Sequence, residues 1–151
     1  MRRLLVIAGL AASAAAASAE PTLIGQWISD REASAAFNEE HVRLQPKTAA
    51  FLKDSMGRLA VTFGPDKVSY ELPNFTTKIE GKEFPITGFS ETHPYTVVAT
   101  TPSSIAVHTI EPVSHKPVVV VYNFVAEDSV WIYVSTSESH VREYFKRVAT
   151  K

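Results

Sequence analysis

Along most of the chain apolar and polar residues alternate at every second position, the mark of half-buried strands. Leu59, Val61 and Phe63 alternate with Ala60 and Thr62 up to the turn Gly64-Pro65-Asp66. Val68, Tyr70 and Leu72 follow, until Pro73-Asn74 stops them. Residues 76–80 and 83–88 predict a hairpin around Gly81-Lys82, and Pro85 places a bulge or an unpaired edge in its second arm. Two more hairpins are predicted, 95–101 with 104–110 and 118–125 with 130–135. Ahead of them, residues 22–28 read as a first strand in which Gly25 lets backbone pass close to Trp27.

Between the first strand and the rest, the period changes. Ser29-Asp30-Arg31-Glu32 has the form of a capping box, and Ala33, Ala36, Phe37 and Glu40 continue at helical spacing. A second short helix starts at Pro46, repeats Ala49, Leu52 and Met56 at three and four, and stops at Gly57. The tail, residues 141–148, fits a helical stripe as well as a strand. The strand is preferred, because the first strand otherwise lacks a closing partner. The order predicts a mainly β chain: an antiparallel up-and-down β-barrel of about ten strands with a helix pair after the first strand. Closure removes exposed edges, and the helices at 31–41 and 46–56 would lid the mouth.

The N-terminus has another logic. Arg2 and Arg3 precede the apolar run Leu4 to Leu10, and an alanine-rich stretch ends in Ala17-Ser18-Ala19. This is the plan of a cleavable signal peptide over residues 1–19, and it implies a periplasmic or secreted protein. The run is too short to span a bilayer, and nothing later approaches that length. Residues 20–151 are then one domain, large enough to bury a core without cross-links. With no cysteine, disulfides and thiolate ligands are excluded. Two of the 15 basic residues fall in the leader, against 16 acidic residues in all, so the mature part is acidic. No basic run marks a nucleic-acid surface.

Gly25-Gln26-Trp27 resembles the Gly-x-Trp signature of the calycins, the lipocalin and fatty-acid-binding-protein group. The layout is similar to that of the intracellular fatty-acid-binding proteins, with two short helices after the first strand. Their last strand often carries an Arg-x-Tyr pair that grips a ligand carboxylate, and Arg142-Glu143-Tyr144 stands in that place. The chain departs from them in its export and in continuing past the tyrosine as Phe-Lys-Arg-Val. It also resembles bacterial secreted proteins with a lipocalin-like domain and an Arg-Glu-Tyr-Phe ending. The resemblance implies a barrel that binds a small apolar or amphipathic ligand, carboxylate-bearing lipids included. Arg142 and Tyr144 would be its polar anchor, with Tyr122 and Tyr70 as further contacts. It also implies a structural signature of Gly25, Trp27 and Arg147, in which a basic residue of the last strand, Arg147 or Arg142, covers the tryptophan.

Other readings stand beside this one. Arg142 and Tyr144 share one strand face, but Arg142 could equally pair with an interior carboxylate or face solvent. Phe63, Tyr70, Phe84, Tyr122, Phe124 and Trp131, if all inward, would fill the bore and leave a barrel acting through its surface as a protein-interaction or envelope-stress module. The stretch 118–125 is apolar on both faces, which suits a core, a covering helix or a homodimer contact. His41, His93, His108, His115 and His140 form no HxH or HExxH group, so a metal or haem carrier requires several of them to converge in space. No nucleophile elbow, phosphate loop or dinucleotide fingerprint is present, and neither a catalytic role nor a cofactor is expected.

Overall fold

The computed structural model describes residues 20–134 and 140–149. The expected leader and the last residue of the predicted strand 130–135 lie outside them. The elements run β1 (Gly25–Asp30), α1 (Arg31–His41), α2 (Pro46–Ser55), β2 (Ala60–Phe63), β3 (Lys67–Leu72), β4 (Phe75–Ile79) and β5 (Lys82–Ile86), then β6 (Phe89–Pro94), β7 (Thr96–Thr101), β8 (Ser104–Ile110), β9 (Pro117–Ala126), β10 (Ser129–Tyr133) and β11 (Arg142–Arg147). Nine strands form one antiparallel, nearly closed sheet in the order β6-β3-β2-β1-β11-β10-β9-β8-β7. The mainly β barrel with a helix pair after its first strand is therefore the fold, with eleven strands among the described residues where about ten were expected. Among the described residues no helix is long and apolar enough to cross a membrane.

The tail is a strand, and it closes on the first one. Trp27 lies opposite Arg147 and Asp30 opposite Tyr144, so the two ends of the domain are neighbours. Both helix starts follow local rules. Asp30, not Ser29, caps α1 by accepting the Ala33 N–H at 3.2 Å, because the Ser29 side chain is turned inward to other partners. Pro46 opens α2, and Gly57 follows it at φ 85°, where a Cβ would come within 2.7 Å of Arg31 Cβ.

One predicted hairpin leaves the wall. β4 and β5 pair with each other alone, and β3 pairs directly with β6 across the gap. The excursion is pinched at its base, where the Asn74 side chain accepts the Gly88 N–H at 2.7 Å. A Cβ on Gly88 would sit 1.9 Å from the Leu72 carbonyl oxygen, so only glycine permits this approach. The α2 helix packs against β4, with Phe51 and Phe75 rings 6.2 Å apart and Asp54 accepting from the Thr77 hydroxyl. The two helices have different partners: α2 covers the hairpin, and α1 lies along β11.

Inside the sheet, Trp27, Phe63, Val68, Tyr70, Val107, Tyr122, Val130 and Phe145 form one buried cluster. Of the large residues expected inward, Phe84 is exposed on β5, and Trp131 lies on the outer face, opposite Tyr144. The outer side of β9 has no covering helix among the described residues, and Val119, Val121 and Val125 are exposed. At one end of the sheet, β7 pairs with β8 alone and carries Val98 as an extra residue in a bulge. Tyr95 is the only residue between β6 and β7, and the Thr109 hydroxyl donates to the Pro94 carbonyl at 3.0 Å where β6 comes beside β8.

Candidate functional site

Alternation along β11 splits its residues between two worlds. Val141, Glu143 and Phe145 are buried, whereas Arg142 and Tyr144 project from the opposite face toward α1. The Arg-x-Tyr pair thus lies outside the bore, contrary to the expectation that it holds a ligand within the barrel. Parity could not reveal this in advance, because each face of the strand mixes charged and aromatic residues.

The α1 helix takes up the edge of β11 that β1 leaves free. Ser34 and Asn38, one turn apart, face the strand together. The Ser34 hydroxyl accepts the Tyr144 N–H at 2.8 Å. The Asn38 side chain accepts the Arg142 N–H at 3.0 Å and donates to the Arg142 carbonyl at 2.8 Å. These bonds fix the backbone of the strand here, and with it the face from which the Arg142 side chain leaves.

That side chain lies among aromatic rings. Its guanidinium carbon is 3.7 Å from the Trp131 ring centre and 4.2 Å from that of Phe37, with Tyr133 at 5.7 Å. His41 stacks on the Phe37 ring with centroids 4.5 Å apart. Partial burial works against the charge, but the Tyr144 and Tyr133 phenol groups beside it outweigh this and raise its pKa. Nε is buried without a hydrogen-bond acceptor, and among the described residues no carboxylate pairs with Arg142. Neither Trp131 nor Phe37 was foreseen as part of a site; only the cross-strand register and the placement of α1 bring them to Arg142.

Within the bore the polar groups are few and mutually supported. The Ser29 hydroxyl donates to Glu143 at 2.5 Å and accepts the Gly57 N–H at 2.8 Å. Burial pushes the Glu143 carboxyl up to about 7, with the Ser29 bond pulling the other way. Burial likewise raises the Tyr70 and Tyr122 phenols, which neighbour each other, so both stay neutral. They sit in the packed interior, separated from Arg142 by the wall itself.

At the other end of β11, Arg147 lies 4.2 Å from the Trp27 ring centre and donates to the carbonyls of Ile24 and Thr22. Trp27 in turn donates to the Leu23 carbonyl at 2.8 Å. Gly25 adopts φ 121°, and a Cβ there would meet Arg147 at 3.1 Å. This cluster ties the end of β11 to the segment before β1.

Two further places carry chemistry. A surface cleft of about 420 Å³ at the start of α1 is lined by Asp30, Arg31, Glu32, Arg58 and Lys146 among others, and none of the expected ligand residues borders it. At the seam beside β6, the side-chain ligand atoms of Glu91, His93 and His115 all lie within 4.8 Å of one another. The other histidines are not part of this group. No family model matches the chain, and comparison with curated proteins and with solved structures finds no match.

Proposed function

We propose that the chain is an exported binding protein whose recognition element is Arg142, on the outer face of the barrel, and whose ligand is a small amphipathic carboxylate. The observation that carries this reading is a guanidinium clamped between Trp131 and Phe37 with no acidic partner among the described residues. A planar cation so placed offers two parallel hydrogen bonds to a carboxylate, the neighbouring phenols can add a third, and the rings accept an apolar body. The calycin-like layout and the leader at 1–19 supply the rest of the reading, with the ligand moved from the bore to the wall. The bulky residues inside favour this displacement, since Trp27, Phe63, Tyr122 and Phe145 already fill much of the space a cargo would need.

Calorimetric titration with decanoate and with decanol, its uncharged counterpart, tests the proposal. Decanoate is expected to bind more tightly by about tenfold or more, the worth of a charge-assisted hydrogen bond, and R142Q is expected to remove that difference. R142K, which keeps the charge but not the flat stacking, should recover only part of it. Equal binding by wild type and R142Q, or no binding of either compound, overturns the proposal. The exposed valines of β9 favour a second role for the outer surface, a contact with another copy of the chain. If the contact exists, V121K lowers the sedimentation-derived mass; a wild type that is monomeric at every concentration excludes it.

A further inference from the structure

We propose that Glu91, His93 and His115 form a zinc-binding site that staples the seam of the barrel. Two of the ligands come from one strand. Glu91 and His93 are two residues apart on β6, so they share a face, and their side chains are only partly exposed. The third comes from the turn between β8 and β9, on the far side of the place where β6 meets β8 without a ladder. Glu91 Oε2 lies 2.8 Å from His93 Nε2 and 3.6 Å from His115 Nδ1.

These separations match what a tetrahedral ion requires. Zinc bonds of about 2.0–2.1 Å to nitrogen and oxygen put neighbouring ligand atoms roughly 3.4 Å apart. The two distances to Glu91 bracket that value, and all three ligand atoms lie within 4.8 Å of one another. The donor set of two imidazoles and one carboxylate suits zinc better than magnesium or calcium, which prefer oxygen alone. His115 is more than half exposed, which leaves the fourth position to water or to an incoming ligand.

The turn that presents His115 is built to hold it. His115 adopts φ 55°, which is uncommon outside glycine and is favoured here by a constraint from its neighbours. Glu111 supplies that constraint. Its carboxylate accepts the N–H groups of Val113 and Ser114, its carbonyl accepts that of His115 at 2.8 Å, and its own N–H donates to the Lys116 carbonyl at 2.9 Å. The unligated alternative is a plain hydrogen-bonded histidine–glutamate contact with no saturable affinity for zinc.

The test is a zinc titration of the full chain, free of any affinity tag and stripped with a chelator, read by calorimetry and by thermal melting. The expected result is one equivalent bound per chain with a rise in melting temperature. H93Q and H115N should each weaken binding by at least about tenfold, since even the loss of an outer partner of a metal ligand costs that much. Asparagine tolerates the left-handed conformation at 115, so H115N keeps the turn, and E91Q serves as a third variant should H93Q fail to fold. H108Q, on an exposed residue of β8 outside the group, should leave binding unchanged. Absence of saturable binding overturns the proposal, as does undiminished binding in both H115N and E91Q, or an equal loss in H108Q.

Discussion

Asn38 and Arg142 stand 104 positions apart, yet the amide of one completes both backbone hydrogen bonds of the other, at 3.0 and 2.8 Å. A helix side chain thereby does for β11 what the next strand would have done. N38A leaves a donor and an acceptor in a largely buried place without partners, which costs about 2–3 kcal/mol. Urea denaturation should show this loss. N38D, which retains the acceptor but sets a carboxylate against the Arg142 carbonyl, should not repair it.

Glu143 makes stability depend on pH in the opposite direction from an ordinary surface carboxylate. The folded chain keeps the proton up to about pH 7, whereas the unfolded chain releases it near 4.5. The folded state therefore binds more protons between those values. The resulting stability is fully present below about pH 4.5 and is lost as pH rises through 7, a change on the order of 3 kcal/mol. E143Q removes the titration. The difference in unfolding free energy between wild type and E143Q should move by that amount, in favour of E143Q, between pH 5 and pH 8. Parallel pH profiles for the two proteins would refute it.

Arg147 contributes through shape as well as charge. It lies over the Trp27 ring and bonds two carbonyls of the segment before β1. R147A should cost about 2 kcal/mol, and R147K should recover less than half, since an ammonium cannot lie flat on an indole while reaching both oxygens. Thermal melts of the three proteins check this, and full rescue by lysine would contradict the assignment.

At Gly88 the constraint is space. A methyl group would overlap the Leu72 carbonyl, so G88A must push apart the base of the β4–β5 hairpin. The loss is expected to be on the order of 3 kcal/mol or more. At Gly81, where a Cβ would meet nothing but φ is 80°, alanine pays only for the backbone, about 1 kcal/mol.

Much of the fold was legible because it rests on local rules. Alternation located the strands, Pro46 and Gly57 bounded α2, and the need of β1 for a partner decided the tail. The exceptions have physical causes. Ser29 carries the right chemistry for a cap but is drawn inward by Glu143 and Gly57, so Asp30 takes its place. The hairpin at β4–β5 has the pattern of a wall strand pair, and only the β3–β6 ladder, with Gly88 close against Leu72, shows that β3 skips past it. At the candidate site, Arg142 and Tyr144 were conspicuous in the sequence, but their face was not, because Glu143 and Arg147 make the other face look equally polar. His93 and His115 were visible as single residues; their meeting with Glu91 depends on the sheet curling round to bring β6 beside β8, which are not neighbours in its strand order.

The extra residue in β7 has a consequence for crowded solutions. A sheet that stops short of full closure ends in a row of unused amides and carbonyls, a template on which a second molecule could add and a filament could grow. Val98 breaks the spacing of that row, so no straight strand can register against it. Deleting this one valine would restore an even edge, on which the strand of a second molecule could register.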